Sequence, residues 1–400
     1  MPARGKRFLA RAGPPLGAPR RPAMPMWGAR AMTSPRLIRP AQSVAAPWPA
    51  PPARPAVVPV FLPFFGCPRR CLFCAQDAQT GRPAPGSATL PTLLGEARAL
   101  LAARAARGLA PAELAFYGGT FTSLPEEAFA ACLDFAVRAC REGLITSFRC
   151  STRPDAVDAR VLERLAAAGC ATVELGVQSF SDAALVRTAR GYTGAQAREA
   201  CARIAAVGLQ AGLQLLPGMP GSTAGAFLED VRTALALGVR ALRFYPCLVL
   251  EGTGLAALWR AGAYAPWDMK TTLETLVRGW LLARKAGAAV LRMGVAPGHE
   301  LTRALLAGPW HPALGSRVLG RALQLAVTEL LRGLGGVASP QGSFSFRLEA
   351  PAFVQGHFWG HAGELREAWA RLGIGPGKVR FVDEPVLRLR REDETGAFKN

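Results

Sequence analysis

The chain has 400 residues, half of them hydrophobic, which suffices for one large domain with appendages or two ordinary ones and excludes wholesale disorder. Its 48 Lys and Arg against 28 Asp and Glu leave a formal net charge of +20, a balance that invites a nucleic-acid partner. No apolar run has the length of a membrane helix, Arg and Pro interrupt anything like a secretory signal, and nine scattered cysteines do not make a disulfide scaffold, so a cytoplasmic chain without membrane contact is expected.

Residues 1–56 carry ten basic residues, no acid and 13 of the 33 prolines; the first acidic residue is Asp77. No apolar period runs through them, so they are expected to form a disordered basic Pro/Arg-rich tail. A nucleic-acid-binding arm, a transit peptide and an extension from an upstream start codon (with Met24, Met26 or Met32 as later starts) are all compatible with that composition. Only five lysines stand beside 43 arginines, a mark of GC-rich coding that favours the extension.

From residue 57 the pattern changes. Apolar segments at 57–62, 113–117, 147–151, 172–177, 211–216 and 241–245 read as strands buried on both faces. Between them, 89–108, 125–142, 155–168, 196–207 and 223–237 have helical period. Such alternation predicts an α/β fold with right-handed crossovers and a parallel sheet, with too few units for a complete eight-fold barrel. Further on, 271–285 and 319–331 read as helices and 289–295 as a strand. Strands at 343–349, 378–382 and 386–390 around a helix at 362–372 suggest a small α+β appendage. The expected division is therefore 1–56 tail, 57–288 core and 289–400 C-terminal α+β domain.

Chemistry concentrates just after the first of these strands, where Cys67, Cys71 and Cys74 form a C-x3-C-x2-C array. Structural zinc wants four ligands, usually from a second pair; here the next cysteine is Cys132, inside a helical segment, and the first histidine is His299. A complete iron–sulfur cluster normally takes four thiolates. Three thiolates without a fourth partner suggest a cluster with one iron left open to a substrate or cofactor.

With Phe73 between the last two cysteines, the array resembles the signature of the radical S-adenosylmethionine (SAM) superfamily. The resemblance implies a partial (β/α)6 TIM-like barrel and a [4Fe-4S] cluster on Cys67, Cys71 and Cys74. It also implies SAM chelating the open iron, an electron donor of flavodoxin or ferredoxin type, and reductive cleavage to a 5′-deoxyadenosyl radical that abstracts hydrogen. The run from Phe116 to Phe121 resembles the family's GGE/GGT element, in which Gly118, Gly119 and Thr120 would line the methionyl end of SAM. The block from Val173 to Phe180 is similar to the fourth strand of two branches, the oxygen-independent coproporphyrinogen dehydrogenases and the catalytic subunit of Elongator. In the first, a Gln and an Arg matching Gln178 and Arg190 contact SAM.

Ser151 and Gln214 depart from the coproporphyrinogen branch, which has Glu and Asp there, and so point away from porphyrin decarboxylation. The segments 214–221, 244–255 and 258–266 are closer to the Elongator branch, whose substrate is the wobble uridine of transfer RNA. Elongator's acetyltransferase domain has no counterpart here. Arg292 to Val295 with Gly308 to Pro312 resemble shorter bacterial radical proteins with an Elongator-like core. The expected function is thus radical SAM modification of an RNA such as tRNA. Two alternatives stand beside it: radical chemistry on a tetrapyrrole or other small molecule, and a non-catalytic nucleic-acid-binding protein with a structural metal.

Other features attract weaker readings. His299 and His311 lie in Gly/Pro-rich loops, and His357 and His361, four apart but flanked by glycines, read as surface or nucleic-acid contacts. The run Gly373 to Gly377 reads as a turn. Cys132, Cys140, Cys150, Cys170, Cys201 and Cys247 read as small core residues, Cys247 lying nearest the active-site end.

Overall fold

The computed structural model describes residues 43–333, apart from 52 and 54, and residues 346–391. Its strands in chain order are β1 (Ser43–Pro47), β2 (Val57–Phe61), β3 (Ala112–Tyr117), β4 (Ile145–Thr152), β5 (Cys170–Gln178), β6 (Gln210–Leu215) and β7 (Ala241–Phe244). After these come β8 (Val249–Leu250), β9 (Ala289–Met293), β10 (Leu305–Ala307), β11 (Phe346–Pro351), β12 (Val379–Val382) and β13 (Val386–Arg391).

Seven strands form one parallel sheet in the order β2-β3-β4-β5-β6-β7-β9, a partial TIM-like barrel. The helices Leu90–Ala106, Glu126–Arg141, Ala159–Ala167, Gly194–Ala206, Ala224–Ala236 and Met269–Lys285 connect successive strands. Each returns the chain to the same end of the sheet, so all the strand-to-helix loops gather at one rim. Several of these helices start on side-chain caps: Asp158, Thr193, Thr223 and Asp268 each accept a backbone N–H from the first turn, and Thr193 with Gln196 forms a full capping box. The core between helices and sheet is apolar, built on Phe116, Phe148, Leu162, Leu213, Phe227 and Phe244.

Two expectations are corrected. Ala289–Met293, assigned from the sequence to the C-terminal domain, is the seventh parallel strand, paired with β7 through Ala241↔Ala289 and Phe244↔Met293. An insertion carrying β8 and the helix Gly254–Arg260 separates β7 from its crossover helix and hides the βα rhythm there. The tail, expected to lack structure to residue 56, is ordered from Ser43: β1 pairs antiparallel with β13, from Ser43↔Arg390 to Pro47↔Val386. Val44 and Trp48 are buried in the C-terminal core, Trp48 N donates to Pro385 O at 2.7 Å, and Arg284 lies 4.0 Å over the Trp48 ring. Residues 1–42 lie outside the described residues.

The C-terminal unit is a four-stranded sheet, β1-β13-β11-β12, with β11 and β12 parallel and the other pairs antiparallel. Its core stacks Phe358 on Trp369 with ring centroids 4.3 Å apart, among Leu348, Leu387 and Leu389. The helix Leu314–Gly333 contributes Val318 and Ala322 to the barrel core and Leu323, Val327, Leu330 and Leu331 to this one, joining the two. His357 and His361 do not share a helix face: Gln355–Phe358 is a single turn and Gly360, at φ +74°, breaks the chain direction. Gly373, at φ +74°, turns the chain after the helix Arg366–Arg371.

Candidate active site

Strand β2 runs into a tight turn at Leu62–Phe65, and the cysteine loop follows. Phe64 and Gly66 take positive φ (60° and 74°), and Cys67 N donates to Phe64 O at 2.9 Å. The next strand end, Gly118-Gly119-Thr120, packs against this turn. A Cβ on Gly119 would overlie the Phe65 carbonyl oxygen and come within 2.7 Å of Leu62 O, so only glycine fits. Gln76, just after the cysteines, ties the two segments: its Oε1 accepts Phe64 N at 2.7 Å and Gly119 N at 2.8 Å.

Cys67, Cys71 and Cys74 are all half-buried and line one large cavity. Cys67 Sγ lies 3.3 Å from Thr120 Oγ1. Burial pushes the Cys67 thiol up and the Cys74 thiol to about 12, and the neighbouring cysteines add to the rise in both. Cys67 and Cys74 are therefore poor thiolates on their own and become good ligands only when a strong cation offsets the burial of their charge. Zinc would draw its thiolates to about 2.3 Å from one point. Among the described residues no three His, Cys, Asp or Glu side chains close on a single ion. Three soft sulfur donors lining one cavity are a donor set that suits an iron–sulfur cluster.

At the end of β5, Gln178 sits at φ 65°, a left-handed backbone for a residue with a side chain, where the β5–β6 register also shifts. Such strain marks a position over-determined by its surroundings. Gln178 lines the cavity, and its carbonyl accepts Leu216 N at 2.9 Å. Asp230, reaching from the helix Ala224–Ala236, accepts Ser179 Oγ at 2.7 Å and Phe180 N at 2.8 Å and pins the turn that follows.

Arg190 is 5% exposed. It donates to Cys71 Sγ at 2.9 Å, to Tyr192 OH at 2.9 Å and to Gly176 O. Burial opposes its charge, yet Tyr192 and Cys71 raise its pKa further. A second buried cation, Arg153, also faces Cys71. Arg153, Gln76 and Tyr192 escaped sequence reasoning.

Deeper in the barrel, four charged residues from four strands form one network. Arg149 bonds Glu113 and reaches Glu174 at 3.1 Å, and Arg243 holds Glu174 through two bonds of 2.8 Å. Burial would push the Glu174 carboxyl up, but Arg243 and then Arg149 outweigh it and hold it below its usual range. Tyr117 OH accepts Arg243 Nη2 at 2.6 Å. Ser151 and Gln214, the two departures from the coproporphyrinogen pattern, are partners: Gln214 Nε2 donates to Ser151 Oγ at 3.2 Å and to Glu174 at 3.3 Å. Two carboxylates are thus replaced by one neutral pair. A single charge per strand inside otherwise apolar segments was the available signal for this network.

The cavity measures about 1030 Å³ and extends from the cysteine loop through the barrel to the far strand ends. Cys247 lines it too, and burial pushes its thiol to about 12, an unreactive state. Among the other cysteines, Cys132, Cys150, Cys170 and Cys201 are buried as expected, whereas Cys140 is exposed, a correction. His299 lines the cavity mouth; His311 does not, packing against His361 with ring centroids 4.8 Å apart. His357 Nδ1 and Ser316 Oγ are 2.8 Å apart. No helix among the described residues is long and apolar enough to cross a membrane.

The tRNA uridine(34) acetyltransferase of Methanocaldococcus infernus is 30% identical to this chain over 128 residues, 31% of this chain and 24% of its own length. Elongator complex protein 3 of Mus musculus is 27% identical over 191 residues, 42% of this chain and 34% of its own. The chain thus spans about a quarter to a third of the length of these curated relatives. The solved structure of the archaeal Methanocaldococcus infernus Elp3 with an N-terminal deletion superposes with a TM-score of 0.53 at 19% identity, over 73% of this chain and 71% of that one, a likeness of fold. Two family models match in chain order, the Radical SAM superfamily over residues 61–234 and the Radical_SAM C-terminal domain over residues 239–322. Between them they take in every strand of the barrel except most of β2, and the chain belongs to the radical SAM superfamily of enzymes.

Proposed function

We propose that Cys67, Cys71 and Cys74 hold a [4Fe-4S] cluster, that Gly118, Gly119 and Thr120 line the methionyl end of SAM, and that Gln178 and Arg190 contact that cofactor. When bound, the pair supplies a 5′-deoxyadenosyl radical that abstracts hydrogen from a substrate. The observation that carries the reading is the meeting of three thiols, a glycine-only strand end and the strained Gln178 in the lining of one cavity.

The chain's own groups have separable tasks. Gln76 and Gly119 keep the cysteine loop tight against β3. The buried Arg190 supplies a fixed positive charge that favours anionic partners, and it keeps further N–H donors beyond the three bonds named above. The neutral Ser151–Gln214 pair leaves hydrogen-bonding groups in the cavity without adding charge.

We further propose RNA of the transfer-RNA kind as substrate. Support comes from relatives named as tRNA uridine(34) acetyltransferases and from the Ser151–Gln214 substitution, which removes both carboxylates expected of the porphyrin branch. Anaerobic reconstitution followed by assay of 5′-deoxyadenosine, with and without bulk tRNA, tests both parts. Cys71→Ala is expected to lose cluster absorbance and cofactor cleavage together, and RNA to stimulate the wild type. Full cleavage by Cys71→Ala overturns the cluster assignment; indifference to RNA overturns the substrate.

A further inference from the structure

Arg153 has no part in the reading above, yet it is one of the most constrained cations in the molecule. It follows β4 in the run Arg153-Pro154-Asp155, where Pro154 opens a 3-10 turn and sets the two charged residues side by side. Asp155 takes the guanidinium as a fork, Nε to Oδ1 at 2.9 Å and Nη2 to Oδ2 at 2.8 Å. Nη2 also donates to Arg190 O at 2.5 Å. The remaining arm, Nη1, reaches Cys71 Sγ at 3.7 Å. The Tyr192 ring carries both cations, with Arg153 Cζ 5.3 Å and Arg190 Cζ 5.0 Å from its centroid.

Charge accounting gives this arrangement its meaning. Two buried guanidiniums meet one carboxylate, so one positive charge is left for Cys71 to balance. A neutral thiol does not balance it; a thiolate bound to a cluster does. Asp155 cancels Arg153 only in part at the sulfur. The carboxylate grips the side of the guanidinium away from Nη1, and its side chain is 22% exposed against 5% for Arg153, so water screens the anion more than the cation.

We infer that Arg153, held by Asp155, is a positioning residue that fixes a positive charge on Cys71 and thereby raises the reduction potential of the cluster. This rests on the assignment of Cys71 as a cluster ligand. Reduction adds a negative charge to the cluster, and a fixed cation beside a ligand sulfur favours that state.

The test is an EPR-monitored redox titration of the reconstituted full chain. Arg153→Gln is expected to lower the ratio of reduced to oxidised cluster about tenfold at a given potential, which is a downward shift of about 59 mV for one electron. Asp155→Asn keeps an acceptor for the guanidinium but removes its counter-charge, and is expected to raise that ratio severalfold. Opposite signs are the signature, because general damage to the loop moves both variants the same way. Unchanged potentials, or shifts of the same sign, overturn the inference. Should Arg153→Gln fail to fold or load, Asp155→Asn decides alone, and the absence of a rise overturns it. Wild-type protein that takes up no cluster instead overturns the assignment on which the inference rests.

Discussion

Replacing Gly119 by alanine isolates the contact that shapes the cysteine loop. Two costs add. Its φ of +62° is left-handed, which costs a residue with a Cβ about 1–2 kcal/mol. The new methyl would also overlie Phe65 O and sit 2.7 Å from Leu62 O and 2.9 Å from Phe65 N, all of them backbone atoms. Overpacking of this kind costs about 1–3 kcal/mol, giving about 2–5 kcal/mol in all. Gly118 is the internal control. Its φ is +84°, but its added methyl would meet Leu62 C, Pro63 N and Gln76 Oε1 no closer than 3.3 Å, tight but short of overlap, so the backbone cost of about 1–2 kcal/mol dominates. At about 2 °C per kcal/mol for a chain of this size, scanning calorimetry should lower Tm by about 4–10 °C for Gly119→Ala and about 2–4 °C for Gly118→Ala. Iron uptake on reconstitution should fall in the same order, since relief of the clash must move the turn from which Cys67 hangs. Equal Tm values and equal iron contents for the two variants would refute the reasoning.

Burial raises the Asp230 carboxyl to about 6 from an ordinary 3.8, despite its two hydrogen-bond donors. Because the folded value lies above the unfolded one, this residue's contribution to stability is complete below pH 3.8 and is lost as pH rises through 6, by about 3 kcal/mol. Urea midpoints of Asp230→Asn against wild type, measured from pH 4 to 7, should therefore converge at the acid end and favour the variant at the neutral end; parallel profiles would contradict this. Glu174→Gln strips a buried anion from two half-buried arginines and is expected to cost about 3 kcal/mol, read as a lower Tm, and a change under about 1 kcal/mol would show that the network is not held by charge.

What was legible in the sequence is what depends on local pattern. Continuous apolar runs such as 172–177 and amphipathic segments such as 125–142 gave elements within a few residues of their true ends. The cysteine spacing and the Gly118-Gly119 pair pointed to the candidate site, and the close packing at Gly119 explains why few residues fit there. Pairings made across the chain left no such trace. Ser43–Pro47 finds its partner near residue 390, and nothing in its Pro/Ala-rich surroundings distinguishes Val44 and Trp48 until the C-terminal core exists to bury them. Arg153 looked like an ordinary loop arginine, since its role depends on Cys71, 82 residues earlier. Gln214 looked like a lost acid until Ser151 appeared as its partner.

These pairings also change what the net charge means. Residues 1–56 contribute +10 of the +20, and residues 1–42, with nine basic residues, join the described fold where Ser43 pairs with Arg390. Inside the barrel Arg149 and Arg243 are matched by Glu113 and Glu174, so the interior adds nothing net. Arg153 and Arg190, by contrast, both face one sulfur of the site. A count of basic residues sees all of these alike. The structure separates charge consumed in the barrel wall from charge aimed at Cys71, and only the latter follows from the thiols that mark the candidate site.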